Sequence, residues 1–484
     1  MIRLPPTDTA MTQTTATAGA ASPHDAPRKR RMPHALVMML CIIVAAAGLT
    51  YLVPSGAYER NKAGQVVPGS FRTIPKDLGG ALARPRKSTD SLAYAASPVS
   101  IVTSIPAGMV RAAPLIVMIL FIGGMFGVLE QSGALTAGID RLVTATGGNV
   151  KVVVPALMVV IACGSTFLGL ISEYLVLIPM MVLLAQRLGY NALFGVAIVT
   201  VAAKIGYLTS VTNPLALVVA QPLLGIPVFS GAGFRLALFA LFLPLGIWYL
   251  LRRAPAMRTG DVIADHGETT PLAARHVALL VALLAAVVVM VVGVQKLDWG
   301  NPELASMFVT LAVVLAVVGG MDSRVASQAF LKGMQSMLLA GVLVGLAAAV
   351  EIVLRESLVL DSIIAGLASS VEGKPPAVVG QLMMGIQLVI DVLIPSTSGK
   401  AAITMPILGP IGQLAGVSGH VTVQAFLFGN GLMNTVTPTS GMLLAYLAAG
   451  RVSYGDWLRF VAPLVGILLV LCSAALYVVA ATGP

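Results

Sequence analysis

Long apolar runs without a charge set the first constraint on this chain. Ala35 to Val53, Val277 to Val294 and Leu304 to Val318 contain no Asp, Glu, Lys or Arg. A helix needs roughly 20 apolar residues, rising about 1.5 Å each, to cross a bilayer core of about 30 Å. With 57% of its 484 residues hydrophobic and only 10% charged, the rest of the chain shares this character. The runs are continuous rather than alternating, which selects helices over a β-barrel. The chain reads as an all-α integral membrane protein.

The formal net charge of +10 does not point to nucleic acid, because the basic residues lie in the N-terminal tail and in loops between apolar runs. That is how topology signals are distributed. Cys41, Cys163 and Cys472 all fall in apolar segments without metal-ligand spacing, so neither a disulfide nor a metal centre is expected. The five histidines (His24, His34, His266, His276, His420) are scattered, and no phosphate-cradling G-x-x-x-x-G-K-[ST] run occurs. No catalytic residues and no cofactor are expected beyond a coupling ion, Na⁺ or H⁺.

Polar interruptions inside apolar segments carry the functional information. Ile394 to Pro410 reads IPSTSGKAAITMPILGP. Pro, Gly and a Ser-Thr-Ser run cannot continue a lipid-facing helix, since the freed backbone groups would find no water. Such a break belongs where protein or a watery cavity surrounds it, and this one reads as the tip of a re-entrant hairpin holding a solute.

The break has a counterpart, because the chain repeats. Gly108 and Met109 match Gly333 and Met334, and Val128, Leu129 and Ser132 match Val353, Leu354 and Ser357, all displaced by 225 positions. Pro179 and Pro406 are 227 apart, Arg235 and Arg459 are 224 apart. One offset within a few residues over so long a stretch implies two homologous halves. Arg252, Arg253, Arg258 and Arg275 mark the central loop as cytoplasmic, and parity then inverts the halves relative to each other, as in many secondary transporters.

The expected organisation follows. Residues 1–34, ending in the basic cluster Arg28 to Arg31, form a disordered cytoplasmic tail. Residues 35–106 supply a first helix and an external loop, 107–251 the first repeat, 252–330 a cytoplasmic linker with two connecting helices, and 331–484 the second repeat. About nine transmembrane helices are expected, with two re-entrant hairpins (Lys151 to Arg187, Pro376 to Ala415) and two broken helices (Ala192 to Leu224, Val421 to Ala449).

Four clusters then pair across the repeat. The first hairpin breaks at Ser165, Thr166, Gly169, Ser172 and Glu173, the second at Ser396, Thr397, Ser398, Gly399 and Lys400. The broken helices interrupt at Thr209, Ser210, Thr212, Asn213 and Pro214, and at Asn434, Thr435, Thr437, Pro438, Thr439 and Ser440. Half-helix N–H groups attract carboxylates, and unwound carbonyls and hydroxyls coordinate cations. Single Ser, Thr or Gly clusters in membrane helices serve close packing; four paired ones point to binding.

Intramembrane charges cost on the order of 2.5 to 3.5 kcal/mol at a helix centre. Glu173 and Lys400 occupy equivalent tip positions and are read as functional. Lys204 and Asp391 lie within helices and are read as a structural pair or as snorkelling groups. Glu351, Arg355 and Glu356 are read as pairing near a helix end, and Arg235 and Arg459 as topology anchors.

The runs GSTFLGLISEYLVLIP, TSVTNPLALVVAQPLLGIPVFSGAGFR, IPSTSGKAAITMP and NTVTPTSGMLLAYL resemble the YfcC-type branch of the four-carbon dicarboxylate anaerobic carrier family, within the ion transporter superfamily. The resemblance covers about residues 35 to 480. It implies an inverted-repeat fold with two hairpins, a homodimer with scaffold and moving parts, and drive by an ion gradient. It also implies a binding region at Ser172 and Glu173, Thr212 to Pro214, Ser396 to Lys400 and Thr437 to Ser440. The chain departs from the pattern at two points. Relatives tend to carry two adjacent acids where it has Ser172 and Glu173, and a neutral residue where it has Lys400.

The expected function is a secondary transporter of small anionic or zwitterionic solutes bearing carboxylates, dicarboxylates or amino acids. It would act by elevator-like alternating access in a bacterial inner membrane, with the N-terminus cytoplasmic. An exporter of drugs or folate-like metabolites is the alternative. An intramembrane enzyme using Glu173 and Asp391 is disfavoured by the lack of a His-Glu metal motif or a G-x-S-x-G setting.

Overall fold

The computed structural model describes residues 35–61, 66–78, 88–145, 147–259, 273–297, 299–371 and 373–482. The expected tail over 1–34, Arg84, Arg86, Lys87 and most of the central loop, including His266, lie outside the described residues.

The chain opens with α1 (Ala35–Leu52) and a small lobe of four short strands. In this lobe β1 (Ser55–Ala57) runs antiparallel to β2 (Arg72–Ile74), with Ser55 opposite Ile74. β3 (Lys76–Asp77) and β4 (Ala93–Tyr94) pair in parallel. The polar connection ends early, because Ser97 caps α2 (Pro98–Arg111) by accepting the Ser100 amide at 3.0 Å.

The first half then runs through α3 (Ala113–Gln131), α4 (Ala134–Ala145), a hairpin of α5 (Val150–Cys163) and α6 (Leu177–Arg187), a broken helix of α7 (Ala192–Thr209) and α8 (Pro214–Ala220), and α9 (Ala232–Arg253). Two connecting helices follow, α10 (Ala274–Lys296) and α11 (Asn301–Val318). The same succession returns as α12 (Ser323–Glu356), α13 (Leu360–Ser369), the hairpin α14 (Pro376–Leu393) and α15 (Thr397–Leu414), the broken helix α16 (Gly419–Met433) and α17 (Gly441–Ala449), and α18 (Tyr454–Thr482).

The expected all-α membrane architecture is present, with nine helices among the described residues long and apolar enough to cross a bilayer. Membership of that set differs from expectation. It takes in the first arms of both hairpins, Val150–Leu168 and Pro376–Leu393, and leaves out α10 and α16, the latter with 15 residues. The first arm of each hairpin is thus close to a bilayer core in length, whereas α6 has 11 residues. Two short helices, α4 and α13, stand where only connections were expected. Their mixed composition reads as loop, yet each is tied down by an ion pair, Arg187 to Asp140 at 3.5 Å and Arg60 to Asp361 at 3.2 Å.

α12 has 34 residues and spans about 51 Å at 1.5 Å per residue, well beyond a bilayer core. It packs along α3, α2, α1 and α17. Its crossing with α3 is backbone on backbone: a Cβ on Gly333 would land on the Gly123 carbonyl. Asp322 starts the helix by accepting the Arg324 amide at 3.0 Å, so the expected boundary at residue 330 falls inside it.

α7 is the most enclosed element. Every residue from Phe194 to Thr209 is buried among α5, α6, α9 and α16. Large apolar side chains remain exposed on the perimeter, including Leu241 and Trp248 of α9, Val313 and Val317 of α11, and Val470 and Val478 of α18. This is the surface a bilayer covers.

Candidate functional site

The second hairpin turns where Pro395 lacks an amide and Ser396 caps α15, its hydroxyl accepting the Gly399 amide at 3.3 Å. Asp391 lies in the last turn of α14 and Lys400 in the first turn of α15. Each is misplaced against its helix dipole, and the tight turn lets them neutralise each other. Lys400 Nζ donates to Asp391 Oδ1 at 2.6 Å, and both side chains are fully buried. Asp391 Oδ2 accepts from Asn434 Nδ2 at 2.8 Å, and the Lys400 ammonium lies 5.3 Å from the centre of the Phe426 ring.

A polar chain links this tip to both broken helices. The Thr397 and Tyr207 hydroxyls are 2.5 Å apart. Asn430 Nδ2 donates to Thr397 Oγ1 at 3.1 Å and also to the Tyr207 hydroxyl. Asn434 Oδ1 accepts the Ser440 hydroxyl at 2.8 Å. The second break closes on itself, with the Thr437 and Thr439 hydroxyls 2.8 Å apart and Pro438 between them.

The first hairpin is built differently. A π-helical turn, Gly164–Leu168, is followed by Gly169 in the left-handed region at φ 76°. The Glu173 carboxylate folds back onto its own tip and accepts the Ile171 amide at 2.9 Å, while the Ile171 carbonyl accepts the Tyr446 hydroxyl. The first break is stitched to this hairpin. The Thr212 amide donates to the Thr166 carbonyl at 3.1 Å and its hydroxyl to the Phe167 carbonyl at 3.1 Å. Asn213 donates to the Ser210 hydroxyl at 3.1 Å, with Ser210 itself at φ 42°.

Between the two tips lies a chamber of about 240 Å³. Ile171 and Ser172 line it from the first hairpin, Pro395 and Thr397 from the second, Lys204 and Tyr207 from α7, and Asn434 and Met442 from the second broken helix. Leu115 of α3 and Asn301 of α11 complete the wall. Among the described residues no carboxylate lies within 4.0 Å of the Lys204 ammonium. Lys204 is only 6% exposed and its helix is buried all round, so it cannot snorkel.

Several expectations change. Ser172, Thr397 and Asn434 line the chamber, but Glu173 and Lys400 do not meet each other, and neither lines it. Glu173 holds its own tip, and Lys400 is consumed by Asp391 because a hairpin apposes the residues on either side of its turn. Thr212 is bonded to the first hairpin, Asn213 to Ser210 within its own break, and Pro214 starts α8. Ser396 and Gly399 shape the second turn, Ser398 is exposed, and Thr437 to Ser440 hold the second break. Arg235 is no anchor. It is 2% exposed and donates to the Val211 carbonyl at 3.2 Å and the Phe229 carbonyl at 3.2 Å, tying the first break to the turn before α9. Glu351 pairs as expected, with Arg111 at 2.8 Å and Arg355 at 2.8 Å. Sequence reading missed Lys204 and Tyr207 as chamber residues. The available signal was a lone lysine one and a half turns before a polar break, in a helix with no other charge.

The sequence profile of the DcuC family, C4-dicarboxylate anaerobic carrier, matches residues 32–481. The chain belongs to this family. Among relatives of this carrier, the Escherichia coli (strain K12) protein named "Putative basic amino acid antiporter YfcC" is 29% identical over 488 residues, covering 92% of this chain and 96% of that protein. An uncharacterized Haemophilus influenzae protein is 27% identical, covering 94% and 98%. Among solved structures, the Alcanivorax borkumensis YdaH transporter aligns over 93% of this chain and 99% of its own at 19% identity, with a TM-score of 0.43. Neisseria gonorrhoeae MtrF aligns over 93% and 95% at 17% identity, with a TM-score of 0.42. Family membership makes the chain a multi-pass membrane transporter.

Proposed function

We propose that this carrier moves small carboxylate-bearing solutes, dicarboxylates or amino acids, by alternating access. It runs coupled to Na⁺ or H⁺ or as an exchanger. The observation that carries this reading is the Lys204 ammonium, which touches no acid among the described residues and faces a chamber walled by both hairpin tips. Asp391 acts on this cation only at longer range; a buried cation with no acid in contact is costly to maintain, and a solute carboxylate lowers that cost. Tyr207, Thr397 and Ser172 add hydroxyls around the same space. The "antiporter" in the name of the Escherichia coli relative supports the exchange mode and keeps basic amino acids among the candidates.

In this reading the two halves are inverted repeats, and the hairpins with the broken helices form the moving part. That part works in an elevator-like manner against a scaffold around α12, within a homodimer in the inner membrane with its N-terminus in the cytoplasm.

Proteoliposome counterflow with labelled succinate, aspartate and arginine tests the proposal, comparing wild type with Lys204→Gln. The expected result is counterflow of at least one solute, with weakened half-saturation in the variant. Unchanged affinity for every transported solute would remove Lys204 from the site.

A further inference from the structure

A second cavity, of about 450 Å³, lies away from the chamber, where the N-terminal ends of α7 and α18 meet the C-terminal end of α9. Arg253, Arg451 and Arg459 line it against a single acid, Asp456. None of the three guanidinium groups is buried, and among the described residues Arg459 alone of them is in an ion pair. Arg459 meets Asp456 at 3.8 Å with its side chain 64% exposed, and an exposed pair of that length contributes little. Asp456 is already held by the Ser453 hydroxyl at 2.6 Å. Arg253 lies 5.6 Å from the centre of the Tyr249 ring, which positions its charge without neutralising it.

Two comparisons within the chain sharpen this. Arg235, which lies 224 positions before Arg459, is buried and used up on backbone carbonyls, whereas Arg459 is largely exposed. Arg451 sits at φ 53°, a left-handed conformation that glycine adopts without strain. An arginine at that turn is not explained by the turn itself. The cleft therefore concentrates three forked donors and an excess of positive charge in a concave space, which suits a phosphate group. α9, which ends at Arg253, also exposes Leu241 and Trp248, and exposed tryptophans favour a membrane interface.

We propose that this cleft binds a phosphate-bearing anion through Arg253, Arg451 and Arg459. The phosphate belongs either to an anionic phospholipid headgroup or to a soluble phosphate compound. The test is thermal melting of the full chain in neutral detergent, for wild type and Arg451→Gln/Arg459→Gln. One arm adds phosphatidylglycerol against phosphatidylcholine, and the other adds inorganic phosphate or glycerol 3-phosphate against chloride at equal ionic strength.

A saturable rise in melting temperature is expected with a phosphate-bearing probe. Its half-saturating concentration should increase roughly tenfold in the double variant, which loses two charge-assisted contacts. A response to phosphatidylglycerol alone assigns the headgroup, a response to the soluble probes alone assigns a free phosphate compound, and a response to both assigns the shared group. Should the double variant melt early without any probe, Arg451→Lys/Arg459→Lys keeps the charge and should bind more weakly than wild type while restoring the melt. Absence of a saturable shift with every probe, or an equal shift in wild type and the charge-removed variant, overturns the proposal.

Discussion

Lys204 and Lys400 occupy neighbouring elements and meet opposite surroundings. Lys400 is enclosed with Asp391, and Lys204 faces the chamber without an acid within 4.0 Å. Lys204→Gln should therefore leave the fold intact and weaken solute half-saturation by roughly 10- to 100-fold, the worth of a charge-assisted contact of about 1.5–3 kcal/mol. Uptake kinetics in proteoliposomes read this out. Asp391→Asn should instead strand a buried ammonium and lower stability by about 3–5 kcal/mol. Adding Lys400→Met should recover most of that loss, and melting of the single and double variants in detergent checks the cycle. The sequence made Lys400 conspicuous but could not show its partner, because pairing depends on the sharpness of the turn. Asp391 and Lys400 flank Ile394 to Ser396 at similar distances, and a tight hairpin apposes residues so placed. Lys204 was underrated because an apolar run does not reveal whether its helix faces lipid or is buried all round.

At the scale of elements, the broken helices and hairpins were legible because Pro, Gly, Asn and Thr act directly on the backbone. α4 and α13 were not, since short helices with mixed composition resemble connections until their ion pairs are seen. Helix crossings were equally hidden, although their glycines were in plain view. Gly333→Val should wedge α12 off α3 and cost about 1–3 kcal/mol or more. Gly385→Ala, where an added methyl meets nothing within 4 Å, should stabilise α14 by about 0.5–1 kcal/mol. Melting in one detergent compares the two. The strand lobe makes a pH prediction. Burial and the Asp361 carboxylate push the Tyr58 phenol up to about 12, so the unfolded chain loses that proton first. Stability should fall between about pH 10 and 12, and Tyr58→Phe should flatten that part of the alkaline melting profile.

For the whole molecule, an offset of about 225 positions between a few matched residues was readable in the sequence, whereas which element bears on which required the structure. α12 and α17 are in intimate contact. A Cβ on Gly441 would stand 3.5 Å from that of Val344, within the range of about 3.5–4.5 Å that a disulfide spans. In a background lacking Cys41, Cys163 and Cys472, Val344→Cys/Gly441→Cys should crosslink on oxidation, stop transport, and recover on reduction. Full transport by the crosslinked protein would show that α17 does not move against α12.

The ion pair closed inside the second hairpin also bears on membrane voltage. A lone charge moved through 100 mV does work of about 2.3 kcal/mol, but Asp391 and Lys400, nine positions apart on one hairpin, travel as a neutral unit. If the hairpins carry the chamber across the membrane and Glu173 travels as the neutral acid, the charge that feels the field is Lys204 plus its cargo. A solute with one net negative charge would then move with that lysine without sensing the potential. A dianion would leave one charge uncompensated, and its uptake would follow an imposed potential clamp.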